Sequence, residues 1–162
     1  MLSDTFDLTT NLVEETRLLG LHLGRLLKPG DIVCFSGDLG AGKTTLAAGI
    51  GQGWNAEHAL TSPTFVMVHR HERTVDHQFL YHLDMYRIQS PPDAESIGLD
   101  DILDGSSAVL IEWAENIRDE LPPDVLWVTL TDAGETARQI TITAAGERSH
   151  ALLESLRQRQ EQ

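Results

Sequence analysis

Residues 37–45 read Gly37-Asp38-Leu39-Gly40-Ala41-Gly42-Lys43-Thr44-Thr45, which is the G-x-x-x-x-G-K-T pattern of a phosphate-binding loop, or P-loop. Its glycines let the backbone bend so that N–H groups point inward at phosphate oxygens. Lys43 adds a positive charge for the β- and γ-phosphates, and the Thr44 hydroxyl is placed to hold Mg²⁺. The pattern therefore predicts that the loop from Asp38 to Thr45 binds a nucleotide.

The residues on either side of this loop place it between a strand and a helix. Ile32-Val33-Cys34-Phe35 is an apolar run typical of a buried strand, and Thr44-Thr45-Leu46-Ala47-Ala48 is typical of the start of a helix. A helix that begins within the loop turns the positive end of its dipole towards the bound anion. The order strand, loop, helix distinguishes a P-loop from a chance glycine-rich turn.

The composition limits the class of protein. A chain of 162 residues with 41% hydrophobic and 23% charged residues suits one globular domain. A net charge of −13 argues against strong direct binding to nucleic acid and favours small ligands or protein partners. No apolar run reaches the roughly 20 residues of a membrane span, and the start of the chain does not resemble a signal peptide. The single cysteine, Cys34, fits a reducing cytoplasm, so we expect a cytoplasmic protein.

Further elements predict one α/β domain over residues 1–162, with a central mixed sheet flanked by helices. An edge strand is expected around Phe6 and Leu8, followed by a leucine-rich helix in which Asn11 and Glu14 resemble a capping box. The glycines at 49, 51 and 53 should end the P-loop helix early. Other strands are expected at 65–68, 79–83, 108–111, 125–130 and 138–143, the last two as a hairpin. The polar stretch at 69–77 should connect two strands, and an acidic helix should span 94–103. The C-terminal tail should fray from about residue 157.

Three polar residues outside the loop are candidates for chemistry. Asp84 follows an apolar strand, where a P-loop enzyme keeps an acid for Mg²⁺ or for the attacking water; a turn or helix cap is the alternative. Glu112 ends the buried run at 108–111 as a Walker-B acid does, with a surface glutamate as its alternative. Thr64 belongs either to a switch loop that senses the γ-phosphate or to an ordinary loop entering a strand.

A P-loop by itself leaves the reaction open. The guanine-binding N-K-x-D string is absent, and so is a D-x-x-G after the Walker-B strand, which argues against a GTPase. The arginines are scattered and form no lid that would clamp two polyanions, which disfavours a small-metabolite kinase. That kinase and a non-catalytic, nucleotide-gated interaction module remain the alternatives to an ATPase.

Taken together, the motifs resemble those of the TsaE (YjeE) family, bacterial P-loop ATPases that support the synthesis of threonylcarbamoyladenosine in tRNA. Besides the P-loop, they are Ser62-Pro63-Thr64-Phe65, Leu83-Asp84-Met85-Tyr86-Arg87, Gly98-Leu99-Asp100-Asp101 and Ile111-Glu112-Trp113. The resemblance covers roughly Leu8 to Arg138. Met85 stands where leucine is usual, and Ser96-Ile97 where an acidic and an apolar residue are expected, so only details of that face depart from the family.

The resemblance implies an Mg²⁺-dependent ATPase. In it, Lys43 and the loop amides hold the ATP phosphates, and Thr44 and Glu112 bind Mg²⁺. Asp84 acts near the metal or the attacking water. Thr64 belongs to a first switch loop and residues 84–87 to a second.

The resemblance also implies partners, a threonylcarbamoyl transferase subunit (TsaD) and its dimerising companion (TsaB). The ATP-bound protein is implied to dock on that pair, and ATP hydrolysis to reset the pair for another turnover. Arg138 is implied to approach the nucleotide. The acidic composition agrees with partners that hold most of the tRNA. Because this chain supplies no obvious arginine finger, we expect slow hydrolysis by the isolated protein and stimulation by the complex.

Overall fold

A mixed β-sheet of seven strands lies at the centre of the protein in the computed structural model, which describes residues 4–38, 40–60 and 68–160. The strands are β1 (Asp4–Thr10), β2 (Ile32–Ser36), β3 (Val68–Glu72), β4 (Phe79–Asp84), β5 (Ala108–Glu112), β6 (Leu126–Asp132) and β7 (Arg138–Ala144). Their order across the sheet is β1-β7-β6-β2-β5-β4-β3. The four inner strands β6, β2, β5 and β4 pair in parallel, and β1, β7 and β3 add antiparallel pairs at the two sides. The predicted α/β fold with a mixed sheet is confirmed.

Helices cover both faces of this sheet. They are α1 (Val13–Leu26), α2 (Lys43–Trp54), α3 (Pro91–Ser96), α4 (Leu99–Ile102) and α5 (Glu147–Gln160), with a 3₁₀ helix at Ala114–Glu120. Strand β2 is buried on both sides, since Val33 and Phe35 pack in the core with α1, α2 and α5, whereas Ile32 and Cys34 pack in the core with α3, α4 and the 3₁₀ helix. The P-loop follows directly from β2, so its first residue is anchored by a strand that is held between two cores. None of the described helices is long and apolar enough to cross a membrane.

Glycines allow α1 and α2 to pack backbone against backbone. A Cβ built at Gly20 or Gly24 of α1, or at Gly49 or Gly53 of α2, would lie under 3.0 Å from a carbonyl oxygen of the opposite helix. The expectation that glycines end the P-loop helix early was wrong, because α2 continues to Trp54. Close packing of the two helices outweighs the low helix propensity of glycine.

Two polar stretches differ from their predicted structure. Residues 69–72 lie in β3, paired with β4, so the connection between these strands is shorter than the predicted 69–77. The acidic stretch at 94–103 is not one helix, because Gly98 takes φ +75° and separates α3 from α4. The predicted strand at 65–68 lies outside the described residues except for Val68.

Side-chain contacts also set the ends of α1 and α5. Glu15, not Glu14, caps α1, since its Oε1 accepts hydrogen bonds from the backbone N–H groups of Asn11 and Leu12, each at 3.0 Å. Helix α5 runs to Gln160, past the residue 157 at which fraying was expected. Arg157 donates to Glu154 at 2.6 Å and lies 3.3 Å from the carboxylate of Asp4, which ties the last turns to β1.

Candidate functional site

A cavity of about 410 Å³ opens where the carboxyl ends of the parallel strands meet the N-terminus of α2. The predicted site residues that line it come from the P-loop, from the ends of β4 and β5, and from the start of β7. They are Gly40, Gly42, Lys43, Thr44, Thr45, Asp84, Glu112 and Arg138. Tyr86 and Trp113 complete the lining.

The other predicted residues do not line this cavity or cannot be placed. Asp38 is exposed, and Ala41 is buried with its N–H bonded to the carbonyl of Asp38 at 3.1 Å. Leu39 and Thr64 lie outside the described residues, as does the rest of the stretch at 61–67.

The P-loop backbone has the conformation for which its glycines were expected. Gly37, Gly40 and Gly42 all have positive φ, at +141°, +81° and +101°. Gly42 caps α2, and its carbonyl accepts the first helical bond from the N–H of Leu46 at 2.9 Å. Arg138 braces the loop from β7, since one of its terminal nitrogens donates to the carbonyl of Gly40 at 3.1 Å.

Lys43 is folded back within the loop. Its Nζ donates to the carbonyl of Gly37 and lies 3.7 Å from the ring centroid of Trp113, a cation–π contact. Burial lowers the pKa of Lys43, and the negative charges of Glu112 and other nearby acids oppose that shift. Trp113 takes a left-handed φ of +58° and packs edge-on against Tyr86 with ring centroids 5.0 Å apart.

The two predicted acids lie opposite each other, because β4 and β5 pair in parallel with Asp84 beside Glu112. Asp84 Oδ1 accepts a hydrogen bond from the backbone N–H of Tyr86 at 2.9 Å, so it also caps the turn after β4. Burial raises the pKa of Asp84 above its ordinary value, and the negative charge of Glu112 adds to the increase. Asp84 is therefore a stronger base than an exposed aspartate.

Glu112 has a buried partner that the sequence reasoning did not identify as a site residue. Its Oε2 lies 2.6 Å from Nε2 of His82, and both side chains are almost fully buried. The alternation Leu80, His82, Asp84 along β4 could have shown that His82 shares a sheet face with Asp84. Trp113, which directly follows Glu112, was present in the quoted motifs but received no role, and Tyr86 was assigned only to the second switch loop.

Comparison with known proteins gives consistent results. The family model described as "Threonylcarbamoyl adenosine biosynthesis protein TsaE" matches residues 10–140. The tRNA threonylcarbamoyladenosine biosynthesis protein TsaE of Bacillus subtilis is 38% identical over 143 residues, which are 88% of each chain. The protein of the same name from Streptomyces coelicolor is 43% identical over 137 residues, covering 82% of this chain and 92% of that protein. The crystal structure of YdiB from Bacillus subtilis superposes with a TM-score of 0.82 at 32% identity, covering 99% of both chains.

Proposed function

This chain belongs to the TsaE family of tRNA threonylcarbamoyladenosine biosynthesis proteins, and we propose that it is an Mg²⁺-dependent ATPase that binds and resets the TsaD–TsaB complex. Family membership gives it a role in tRNA threonylcarbamoyladenosine biosynthesis and a P-loop NTPase fold. The proposal adds the nucleotide, its hydrolysis and the two partners. The observation that carries it is the convergence of Lys43, Asp84 and Glu112 on one cavity at the N-terminus of α2.

The phosphates of ATP bind to the P-loop in this proposal. The free backbone N–H groups at the start of α2, together with the positive end of the α2 dipole, would provide the anion site. Lys43 exchanges its present partners, a backbone carbonyl and an aromatic ring, for the β- and γ-phosphates. Arg138 keeps Gly40 in place and lies beside the nucleotide.

Thr44 and Glu112 would hold Mg²⁺. Both line the cavity, and they offer a hydroxyl and a carboxylate oxygen, the hard oxygen ligands that Mg²⁺ takes in phosphoryl-transfer sites. Glu112 is 4% exposed and lies at the end of β5, at the same end of the sheet as the loop. The ion would neutralise charge that develops on the phosphate oxygens during hydrolysis.

Asp84 is our choice for the residue that orients the attacking water. It lines the cavity beside Glu112, and its raised pKa favours taking up a proton from that water. The water oxygen attacks the γ-phosphorus, the bond to the bridging β–γ oxygen breaks, and ADP and phosphate leave. Thr64, which lies outside the described residues, would sense the γ-phosphate as part of a first switch loop, with residues 84–87 as the second.

The partners should supply what the cavity lacks for fast hydrolysis. Arg138 is the arginine that lines the cavity among the described residues, and its guanidinium already donates to the carbonyls of Gly40 and Ala137. An arginine finger from elsewhere is worth several orders of magnitude in P-loop enzymes. Hydrolysis by the isolated protein is therefore slow, and TsaD–TsaB raises it. The net charge of −13 fits a protein that leaves the tRNA to those partners.

The test is phosphate release from ATP, followed as Mg²⁺ is added in the presence of TsaD and TsaB. Lys43→Ala should abolish ATP binding or hydrolysis. Glu112→Ala should need at least about tenfold more Mg²⁺, because it loses a metal ligand, and should keep its affinity for nucleotide in EDTA. Glu115→Ala is the matched control, since Glu115 is a nearby but exposed glutamate on the 3₁₀ helix. Transfer of phosphate to a small metabolite, or an unchanged Mg²⁺ titration for Glu112→Ala, would contradict the proposal.

A further inference from the structure

His82 and Glu112 form a buried polar pair, of which Glu112 lines the cavity. The two residues are 30 positions apart in the chain, and the distance from Nε2 to Oε2 is 2.6 Å. His82 is 0% exposed and Glu112 is 4% exposed. A short hydrogen bond to a carboxylate in such surroundings restrains both side chains strongly, since little water competes for either group.

The chemistry of the pair fixes which atom donates. An ionised carboxylate only accepts hydrogen bonds, so the proton belongs on Nε2 of His82. The other ring nitrogen, Nδ1, is buried and has no hydrogen-bond partner among the described residues. Because no acceptor is described beside Nδ1, a proton placed there would form no hydrogen bond, whereas a proton on Nε2 is donated to Glu112. The ring therefore presents one donor, and Glu112 receives it.

The register of the sheet explains why Glu112 needs a donor. Asp84 lies directly beside Glu112, so two carboxylates share one end of the sheet, and their mutual repulsion favours separation. His82 lies two residues before Asp84 on β4 and pairs in register with Leu110. Its ring reaches forward to Glu112, and so one carboxylate oxygen is tied to β4 while the residue still lines the cavity.

We propose that His82 is a positioning residue whose Nε2–H holds the Glu112 carboxylate in the orientation that takes Mg²⁺. This inference rests on the proposed function for the identity of the metal site. It assigns to His82 the part that second-layer hydrogen bonds play around metal-binding carboxylates, where losing such a partner costs roughly 10- to 100-fold in metal affinity. A histidine present only for packing would instead affect the stability of the fold and leave the metal dependence unchanged.

The experiment compares three variants of the full chain. His82→Leu removes the donor, and His82→Gln keeps an N–H donor at the position of Nε2. His71→Leu is the control, because His71 is a half-buried histidine on the adjacent strand β3 whose Nε2 has no hydrogen-bond partner among the described residues. The first readout is the dissociation constant of a non-hydrolysable ATP analogue, measured by calorimetry in Mg²⁺ and in EDTA. The second is the Mg²⁺ concentration that gives half-maximal phosphate release, and thermal unfolding reports the folded state of each variant.

Mg²⁺ should increase the affinity of His82→Leu for the ATP analogue about tenfold less than it does for the wild type, while the affinity in EDTA stays unchanged. In His82→Gln most of the Mg²⁺ effect should be retained. His71→Leu should match the wild type. If His82→Leu is too unstable to study, His82→Asn takes its place, because its shorter amide side chain does not reach Glu112 and should lose the Mg²⁺ effect that His82→Gln keeps. The inference is overturned if folded His82→Leu keeps the full Mg²⁺ effect, or if His82→Gln loses that effect as Glu112→Ala does. It is also overturned if Mg²⁺ does not change the affinity of the wild type for the ATP analogue. Absence of phosphate release from the wild type would instead contradict the ATPase proposal, while the calorimetry would still decide the role of His82.

Discussion

Replacing Gly53 by alanine should weaken the fold because it forces α1 and α2 apart. A Cβ at this position would lie under 3.0 Å from the carbonyl oxygen and carbon of Leu21, a separation that real Cβ atoms essentially never show. These are backbone atoms within a helix, so they cannot rotate away as a side chain can. The strain must be relieved by moving one helix relative to the other.

The expected magnitude follows from two opposing effects. Forcing an extra methyl group into a tightly packed contact costs typically 1–3 kcal/mol, and a backbone clash belongs at the upper end, about 3 kcal/mol. Alanine regains about 1 kcal/mol through its better helix propensity. The free energy of unfolding should therefore fall by about 2 kcal/mol. For a chain of this size that corresponds to a decrease in Tm of about 4–8 °C.

Gly51→Ala is the matched control, because it makes the same change two residues away on the same helix. A Cβ at Gly51 would meet the side chain of Leu60, which can change its rotamer. The free energy of unfolding of Gly51→Ala should stay within about 1 kcal/mol of the wild-type value. Urea unfolding followed by far-UV circular dichroism measures both variants, with equal m-values as the check on comparability. Equal stability of Gly53→Ala and Gly51→Ala would refute the packing argument.

Three further predictions follow from local contacts. Burial raises the pKa of the Cys34 thiol from its ordinary 9.0 to about 12, so the contribution of the neutral thiol to the free energy of unfolding is complete below about pH 9 and is lost as the pH rises towards about 12. A thiol reagent at pH 9 should therefore label Cys34 only as fast as the chain unfolds, and rapid labelling would contradict this. Asp124→Ala should lower the free energy of unfolding, measured by urea titration, by about 1 kcal/mol, because Asp124 accepts hydrogen bonds from the backbone N–H groups of Arg148 and Ser149 in the first turn of α5. Asp124→Asn should lower the free energy of unfolding by less. ATP binding should change the fluorescence of Trp113, because Lys43 must leave the face of the indole ring to reach the phosphates. If ATP changes the fluorescence of the Trp113→Phe protein by the same amount, this prediction is contradicted.

The sequence was most informative where function depends on local backbone geometry. The P-loop could be predicted because positive φ at closely spaced positions needs glycine, and the flanking strand and helix were visible in the same short stretch. Asp84 and Glu112 could be predicted to lie together because both end apolar strands, and the carboxyl ends of parallel strands meet at one edge of a sheet.

The remaining features depend on contacts between distant parts of the chain. His82 looked like an ordinary member of an apolar strand, and only the pairing of β4 with β5 brings it to Glu112. Gly49 and Gly53 appeared to weaken a helix because local propensity carries no information about α1 packing against them. The folded-back Lys43 depends on the left-handed backbone of Trp113, which is rare for a bulky residue and which no local pattern signals.

The decisive measurement is phosphate release from ATP by the pure protein, with and without the TsaD–TsaB pair, and by Lys43→Ala under the same conditions. We expect slow release by the protein alone, a large stimulation by the pair, and loss of both in Lys43→Ala. Equal turnover with and without the pair, or stimulation that survives in Lys43→Ala, would contradict it.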